Sequence, residues 1–435
     1  MTWLQRFRIR HYFHNSVWVL PALAILSALL AAQVLHAIEK SLGWESAIAP
    51  GTAQAVLGTM ASSMFTFIVF VSSALLVVVQ LASSQLTPRI IGIVFRDPVT
   101  KFSLVVFVFT FTFALAALVR VTDSVPLLTT YLAAYFCVAS LGVFLFLIDH
   151  VGKALRPSGA LRMVAWLGRE VVEHVYPRRI PDEKEPHHSA EGLAGQPTCT
   201  ITNPNDGVVL AFDVEGLVAL AQRANCVIEL VPQVGDFVAV GDPLFRIFGQ
   251  GESLAAKALC QSVAVGQERT MEQDPAFAFR IMVDIASKGL SPAINDPTTA
   301  VLALDQIHYL LREVGRRNLE DERVRDSQGR VRLVYRTPDW EDFVRLAVTE
   351  IRQFGGTSIQ IARRMRAMLE NLIQSLPEQR APLLRKELEL LHRSAERFFT
   401  EPEDRALAEV SDSQGVGGKA GRSEMKSHFE EGKAS

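Results

Sequence analysis

Two sets of residues carry the types and spacing that chemistry needs. The first lies within 268–300 and comprises Arg269, Asp274, Asp284, Lys288, Ser291, Asn295 and Asp296. A helix N-terminus beside Asn and Thr can hold an anion, and nearby carboxylates can hold a cation, so this stretch is a candidate ion or ligand site. Its spacing matches no nucleophile–base pair, phosphate loop or zinc pattern. Helix caps and salt bridges explain the same residues without a ligand. No catalytic residue, metal ligand or cofactor is assigned. The second set is Thr59, Ser62, Thr66, Ser73, Gln80 and Ser84, which recur at steps of three, four and seven and so share one helical face. In an otherwise apolar helix that face turns toward protein or water. It either packs against neighbouring helices or lines an aqueous path.

The elements that must position these sets differ in kind. Residues 17–149 are dominated by Leu, Val, Ala and Phe, whereas 150–435 have a water-soluble composition. The net charge of −2 gives no signal for nucleic acid. Four stretches, 17–38, 58–86, 102–119 and 127–148, are long and apolar enough to cross about 30 Å of hydrocarbon. The first is too long for the apolar core of a signal peptide. Basic residues gather before the first span (Arg6, Arg8, Arg10), between the second and third (Arg89, Arg96, Lys101) and after the fourth (Lys153, Arg156, Arg162, Arg169), against only Lys40 and Arg120 in the other connections. The basic side is cytoplasmic, which puts both termini inside. With no charge in mid-span, a proton relay is disfavoured. The second span exceeds the bilayer thickness, and its polar end at 80–89 is the natural coupling element to the soluble part.

Beyond the membrane part, prolines and glycines mark 177–198 as a linker, and its His187-His188 pair reads as exposed loop rather than metal site. Short β-branched runs at 208–212 and 227–231 flank a helix at 214–223. The segment 234–247, with its paired Gly-Asp turns, resembles half of a biotinyl/lipoyl-type barrel. Lys257 falls too late for a carrier lysine, so a barrel without covalent cofactor is expected. Asp274-Pro275 and Asp296-Pro297 are helix starts, and Gly289 is a stop. The helix after Pro297 should bury Val301, Leu304, Ile307, Leu311 and Val314. Helices follow at 338–354, 357–374 and 380–399, with Arg363, Arg364 and Arg366 read as a solvated face. The four cysteines, Cys137, Cys199, Cys226 and Cys260, form no C-x-x-C pair and suit a reducing cytosol.

The expected fold class is therefore membrane α-helical, with four transmembrane helices, joined to an α+β cytoplasmic domain that holds the small β-barrel and a helical C-terminal part. Its divisions are a tail (1–16), the membrane domain (17–149), an amphipathic helix and linker (150–198), the barrel (199–250), the helical domain (251–400) and a disordered tail (401–435).

The strings Gln80-Leu-Ala-Ser-Ser-Gln with Pro88-Arg89, and Leu290-Ser-Pro-Ala-Ile-Asn-Asp-Pro-Thr-Thr-Ala300, resemble those of a bacterial family of predicted membrane proteins, domain-of-unknown-function family 2254, over about residues 5–400. The resemblance implies the bacterial inner membrane, four spans and a cytoplasmic α+β part. It brings no activity. On the residues themselves, the expected function is a homo-oligomer in the lipid bilayer that passes ions or a small solute along the polar face of the second span. The alternative is a membrane-anchored sensor or scaffold that binds a ligand or partner. A third reading is an enzyme acting at the 291–299 turn.

Overall fold

The computed structural model describes residues 1–44, 48–94, 97–122, 125–154, 156–180, 195–251, 254–319 and 322–418. His187 and His188 lie outside them. The chain divides into two compact units, Met1–Ile9 with Leu161–Ser435, and Arg10–Ala160.

After α1 (Trp3–Asn15), the smaller unit is built on α2 (Val19–Leu42), α3 (Pro50–Leu81), α5 (Pro98–Arg120) and α6 (Leu127–Ala154), with the short α4 (Ile91–Val94) between α3 and α5. The four long helices are apolar and long enough to cross a membrane. The most enclosed is α5, which packs against the other three. Small residues make those approaches close: Ala28 and Ala32 of α2, Ala53 of α3 and Ala117 of α5 are buried beside Phe113. A buried Thr110–Ser140 hydrogen bond of 3.1 Å joins α5 to α6. Asp97 starts α5, accepting from the Thr100 N–H at 2.9 Å with Pro98 next in the chain. At about 1.5 Å per residue α3 is about 48 Å long, well over the hydrocarbon thickness. Its continuation, Ala82–Leu86, is a π-helical turn, followed by a 3-10 turn at Pro88–Ile90. The π turn falls on the Leu-Ala-Ser-Ser-Gln string. Such turns are rare and gather at functional sites.

The larger unit begins with α7 (Pro157–Val175) and continues through β1 (Cys199–Thr202), β2 (Gly207–Phe212), α8 (Val214–Arg223), β3 (Cys226–Leu230), β4 (Phe237–Val238), β5 (Pro243–Gly249), α9 (Ala256–Cys260) and β6 (Val263–Gly266). It then runs α10 (Pro275–Gly289), α11 (Pro297–Gly315), β7 (Glu322–Arg325), β8 (Val331–Tyr335), α12 (Trp340–Phe354), α13 (Ile359–Ser375), α14 (Ala381–Phe398) and α15 (Pro402–Ala408). Asp213 caps α8 by accepting from the Gly216 N–H at 3.0 Å.

The expected biotinyl/lipoyl-like barrel is not there. The Gly-Asp turns do form, with φ of +95° at Gly235 and +91° at Gly241, which glycine alone adopts freely. The strands around them, however, split between two open sheets, one of order β1-β5-β3-β8-β7 and one of order β4-β2-β6. The free edge of β3 is taken in parallel by β8, far downstream, with Ile228 opposite Leu333. That pairing extends the sheet instead of closing it. The core between this sheet and α8 holds Leu217, Ile228, Phe245 and Leu333.

Two other expectations are corrected. Arg363 and Arg364 are buried, not solvated, and Arg366 is largely covered. Arg364 reaches Asp305 at 2.7 Å and donates to His308 Nδ1, while His308 Nε2 faces Asn371 Oδ1 at 2.9 Å. Burial, against the pull of the Asn371 hydrogen bond and with Arg364 and Arg312 beside it, holds the His308 imidazole below its usual pKa. Of the tail expected to be disordered over 401–435, the first part instead forms α15, and its path over 410–418 is held by hydrogen bonds to Arg363, while 419–435 lie outside the described residues.

The β7–β8 hairpin closes on Asp326. The side-chain oxygens of Asp326 accept from the Gln328 and Arg330 N–H groups at 2.9 and 3.0 Å and from Arg332 Nε at 2.8 Å. Arg332 also donates to the Cys226 carbonyl at 3.3 Å, which ties the hairpin to β3. Arg332, more than the turn amides, holds the Asp326 carboxyl down at about 2. Because the folded pKa is depressed, this contribution to stability is present above the unfolded value of about 4 and is lost as pH falls through the folded one. In thermal unfolding, Asp326→Asn should melt below wild type at neutral pH, and the gap should shrink between about pH 4 and pH 2. A gap that stays constant over that window would refute the assignment.

Candidate functional site

The structure splits the first residue set along α10. At its N-terminal end Asp274 is fully buried and caps the helix, accepting from the Phe277 N–H at 3.1 Å. Arg269 clasps the same carboxylate through Nε and, at 3.1 Å, Nη2. Burial pushes the Asp274 carboxyl up, against the pull of Arg269 and of the Phe277 and Ala276 amides. In mid-helix, Asp284 pairs with Arg280 at 2.5 Å, and Arg280 grips Glu350 of α12 at 2.5 Å. At the C-terminal end, Ser291 Oγ donates to the Lys288 carbonyl at 2.6 Å. Asn295 takes the left-handed conformation at φ +50°, and Asp296 caps α11 through the Thr299 N–H and hydroxyl at 3.1 and 2.6 Å.

These residues do not converge. Fifteen helical residues set Asp274 about 20 Å from Asp296. The Ser291–Asp296 turn is closed by backbone hydrogen bonds from the Asn295 N–H to the Ser291 carbonyl at 2.8 Å and from the Asp296 N–H to the Gly289 carbonyl at 2.7 Å, and the observed roles of Asp274 and Asp296 are caps. A cleft of about 70 Å³, enough for about five waters, lies beside Asp274, with Phe212, Val234, Tyr335 and Thr337 in its walls. The sequence gives no sign of it, because its walls come from segments far apart in the chain. Among the described residues no group of three or more His, Cys, Asp or Glu is placed to hold a metal ion. All four cysteines are free. Burial raises the pKa of the Cys226 and Cys260 thiols, which disfavours the thiolate.

The second set does share a face. At about 100° per residue Thr59, Ser62, Thr66, Ser73 and Gln80 fall within roughly 60° of one another around α3, and Ser84 follows in the π-helical turn. All six are exposed on the protomer, while Ala53, Leu57, Ala61, Met64, Val71 and Val78 on the other faces are buried against the bundle. Thr59, Thr66 and Ser84 donate their hydroxyl protons to carbonyls of their own helix, Ala55, Ser62 and Leu81, at 2.8, 2.9 and 3.2 Å. These exposed hydroxyl oxygens keep their capacity to accept. The face therefore offers acceptors, and Gln80 adds an exposed carboxamide whose donors and acceptor a single helix does not satisfy.

Four apolar helices long enough to cross a membrane, one carrying an outward polar face, joined to an α+β unit define a membrane protein. The chain belongs to the predicted membrane protein family DUF2254, whose model matches residues 14–371. Two uncharacterised proteins, one of Mycobacterium bovis and one of Mycobacterium tuberculosis, are each 25% identical over 429 residues, covering 93% of this chain and 80% of theirs. No solved structure matches.

Proposed function

We propose that the protein is a homo-oligomer of the bacterial inner membrane in which copies of α3 surround a path for a small cation or polar solute, with the larger unit as its assembly or gating part. The observation that carries this reading is the outward polar face of α3. Left against lipid, the Gln80 carboxamide and the hydroxyl lone pairs would lack partners. Against the same face of neighbouring copies they would meet water or a permeant ion. Acceptor oxygens without a fixed charge suit a cation that sheds water reversibly. Four spans in one protomer do not enclose such a path, so assembly is part of the proposal. Both termini are cytoplasmic in this reading. It is supported by the basic residues beside the spans and by an even span count. The first nine residues, moreover, are part of the same compact unit as the chain after the fourth helix.

The test is cation flux through purified protein in liposomes, wild type beside a Thr66→Leu/Ser73→Leu double variant. Wild type should conduct, and the variant should lose about tenfold or more while keeping its oligomeric mass. A monomer in mild detergent, or unchanged flux in the variant, would sink the proposal. The alternative of a membrane-anchored sensor draws on the cleft beside Asp274. It predicts no flux in either protein and leaves function indifferent to the α3 substitutions.

A further inference from the structure

α1 has two apolar faces. Trp3, Leu4 and Phe7 lie on one of them and pack on Val208, Leu210, Ala211 and Ala264 of β2 and β6. Ile9, Tyr12 and Phe13 lie on the opposite one, within about 100° of one another by helical spacing. All three are about half exposed, at 45%, 52% and 46%. Arg6, Arg8 and Arg10 fall between the two faces, and all three are exposed. The helix contains no acidic residue. A helix that merely ended at the larger unit would need only the first face.

We propose that the Ile9–Tyr12–Phe13 face of α1 lies in the headgroup layer of an anionic membrane surface. Three features select lipid as the occupant. The first candidate span, α2, begins at Val19, only a few residues after α1 ends at Asn15, so the chain itself holds this face near the bilayer. Tyr and Phe with flanking arginines are the composition of an interfacial helix, whose rings enter the acyl boundary while the guanidinium groups meet phosphate. Finally, the charge is wholly positive, complementary to an anionic leaflet, at about 1 kcal/mol per basic residue near the surface. Tyr12 also meets Trp18 edge-on at 6.4 Å, which continues the aromatic surface toward the start of α2.

The inference is independent of any conduction path, and its test needs none. Phe13→Cys in the full-length protein is labelled with an environment-sensitive fluorophore, with labelled wild type subtracting the native thiols. It is then reconstituted in phosphatidylcholine vesicles with and without phosphatidylglycerol. Headgroup-proximal spin-labelled lipid should quench the dye at least about twofold more than aqueous iodide does. An added Arg6→Gln/Arg8→Gln/Arg10→Gln substitution should reduce that lipid quenching in the anionic vesicles. Iodide quenching as efficient as for free dye would overturn the proposal. So would protection from both quenchers, which would mean that a protein surface covers the face.

Discussion

Replacing Arg363 with alanine is expected to release the chain after α15 and to lower the stability of the larger unit by about 2–3 kcal/mol. Arg363 is the largest of the fully buried side chains among the described residues. It donates to the carbonyls of Val410, Gly417 and Gly418 at 3.0, 3.3 and 2.8 Å. The segment it holds is shaped by Asp412, which accepts from the Gln414, Gly415 and Gly417 N–H groups at 3.0, 3.0 and 2.8 Å. Each charge-assisted bond is worth about 1.5–3 kcal/mol, but the freed carbonyls can return to water, so the net loss lies well below the sum. Thermal unfolding should fall by several degrees, and protease should cut within 410–418, where wild type resists. Arg363→Lys should rescue little, since one ammonium does not span three carbonyls as a planar fork does. Truncation after Glu409 removes the acceptors and exposes the guanidinium, so truncation and substitution together should cost no more than the larger effect alone. Full additivity, or a loss under about 0.5 kcal/mol for Arg363→Ala, would show that Arg363 is not the clasp.

What the sequence made legible follows the reach of each physical signal. Local signals are read correctly. Asp213 before Val214 and Arg223 before a turn bound α8 at the expected residues, and Val301, Leu304, Ile307, Leu311 and Val314 are all buried on α11. The four candidate spans appear where hydropathy puts them, with ends shifted by a few residues except at α3, which starts earlier because Pro50 opens the helix. Signals that depend on a distant partner are not read. β8 falls within 251–400, where the sequence predicts helices, since nothing between 331 and 335 announces its parallel pairing with β3, the pairing that extends the sheet in place of a barrel. Arg363 and Arg364 looked solvated because charge near an apolar stripe normally is. Only the return of the chain over 410–418, and Asp305 on α11, supply the partners that let them be buried. For the candidate sites the split is similar. Spacing alone put Thr59 through Ser84 on one face, but only the packing of α3 shows that this face points away from its own bundle. The residues from Arg269 to Asp296 are close in sequence, yet the length of α10 keeps the two caps apart.

Glu39→Ala is expected to destabilise the smaller unit by about 2–3 kcal/mol, the second large effect. α6 begins after Pro126, whose side chain cannot cap, so the first N–H groups of α6 need an acceptor from elsewhere. Glu39, near the end of α2, supplies it. One oxygen accepts from the Thr129 N–H at 2.9 Å and the other from the Thr129 hydroxyl at 2.6 Å, with both side chains buried. The carboxylate also lies at the positive end of the α6 dipole. Alanine would leave two buried donors unpaired where water is scarce, at about 1–3 kcal/mol for each such group, lessened where the unfolded chain in detergent finds other partners. Glu39→Gln keeps one acceptor oxygen and should cost about half as much. The measurement is unfolding of the detergent-solubilised protein followed by loss of helicity, in a double-mutant cycle with Thr129→Val. If Glu39 acts as a cap supplied by another helix, the two substitutions should couple by about 1 kcal/mol or more. A coupling near zero would assign the burial of Glu39 to packing alone, and α6 would then have to start without help from α2.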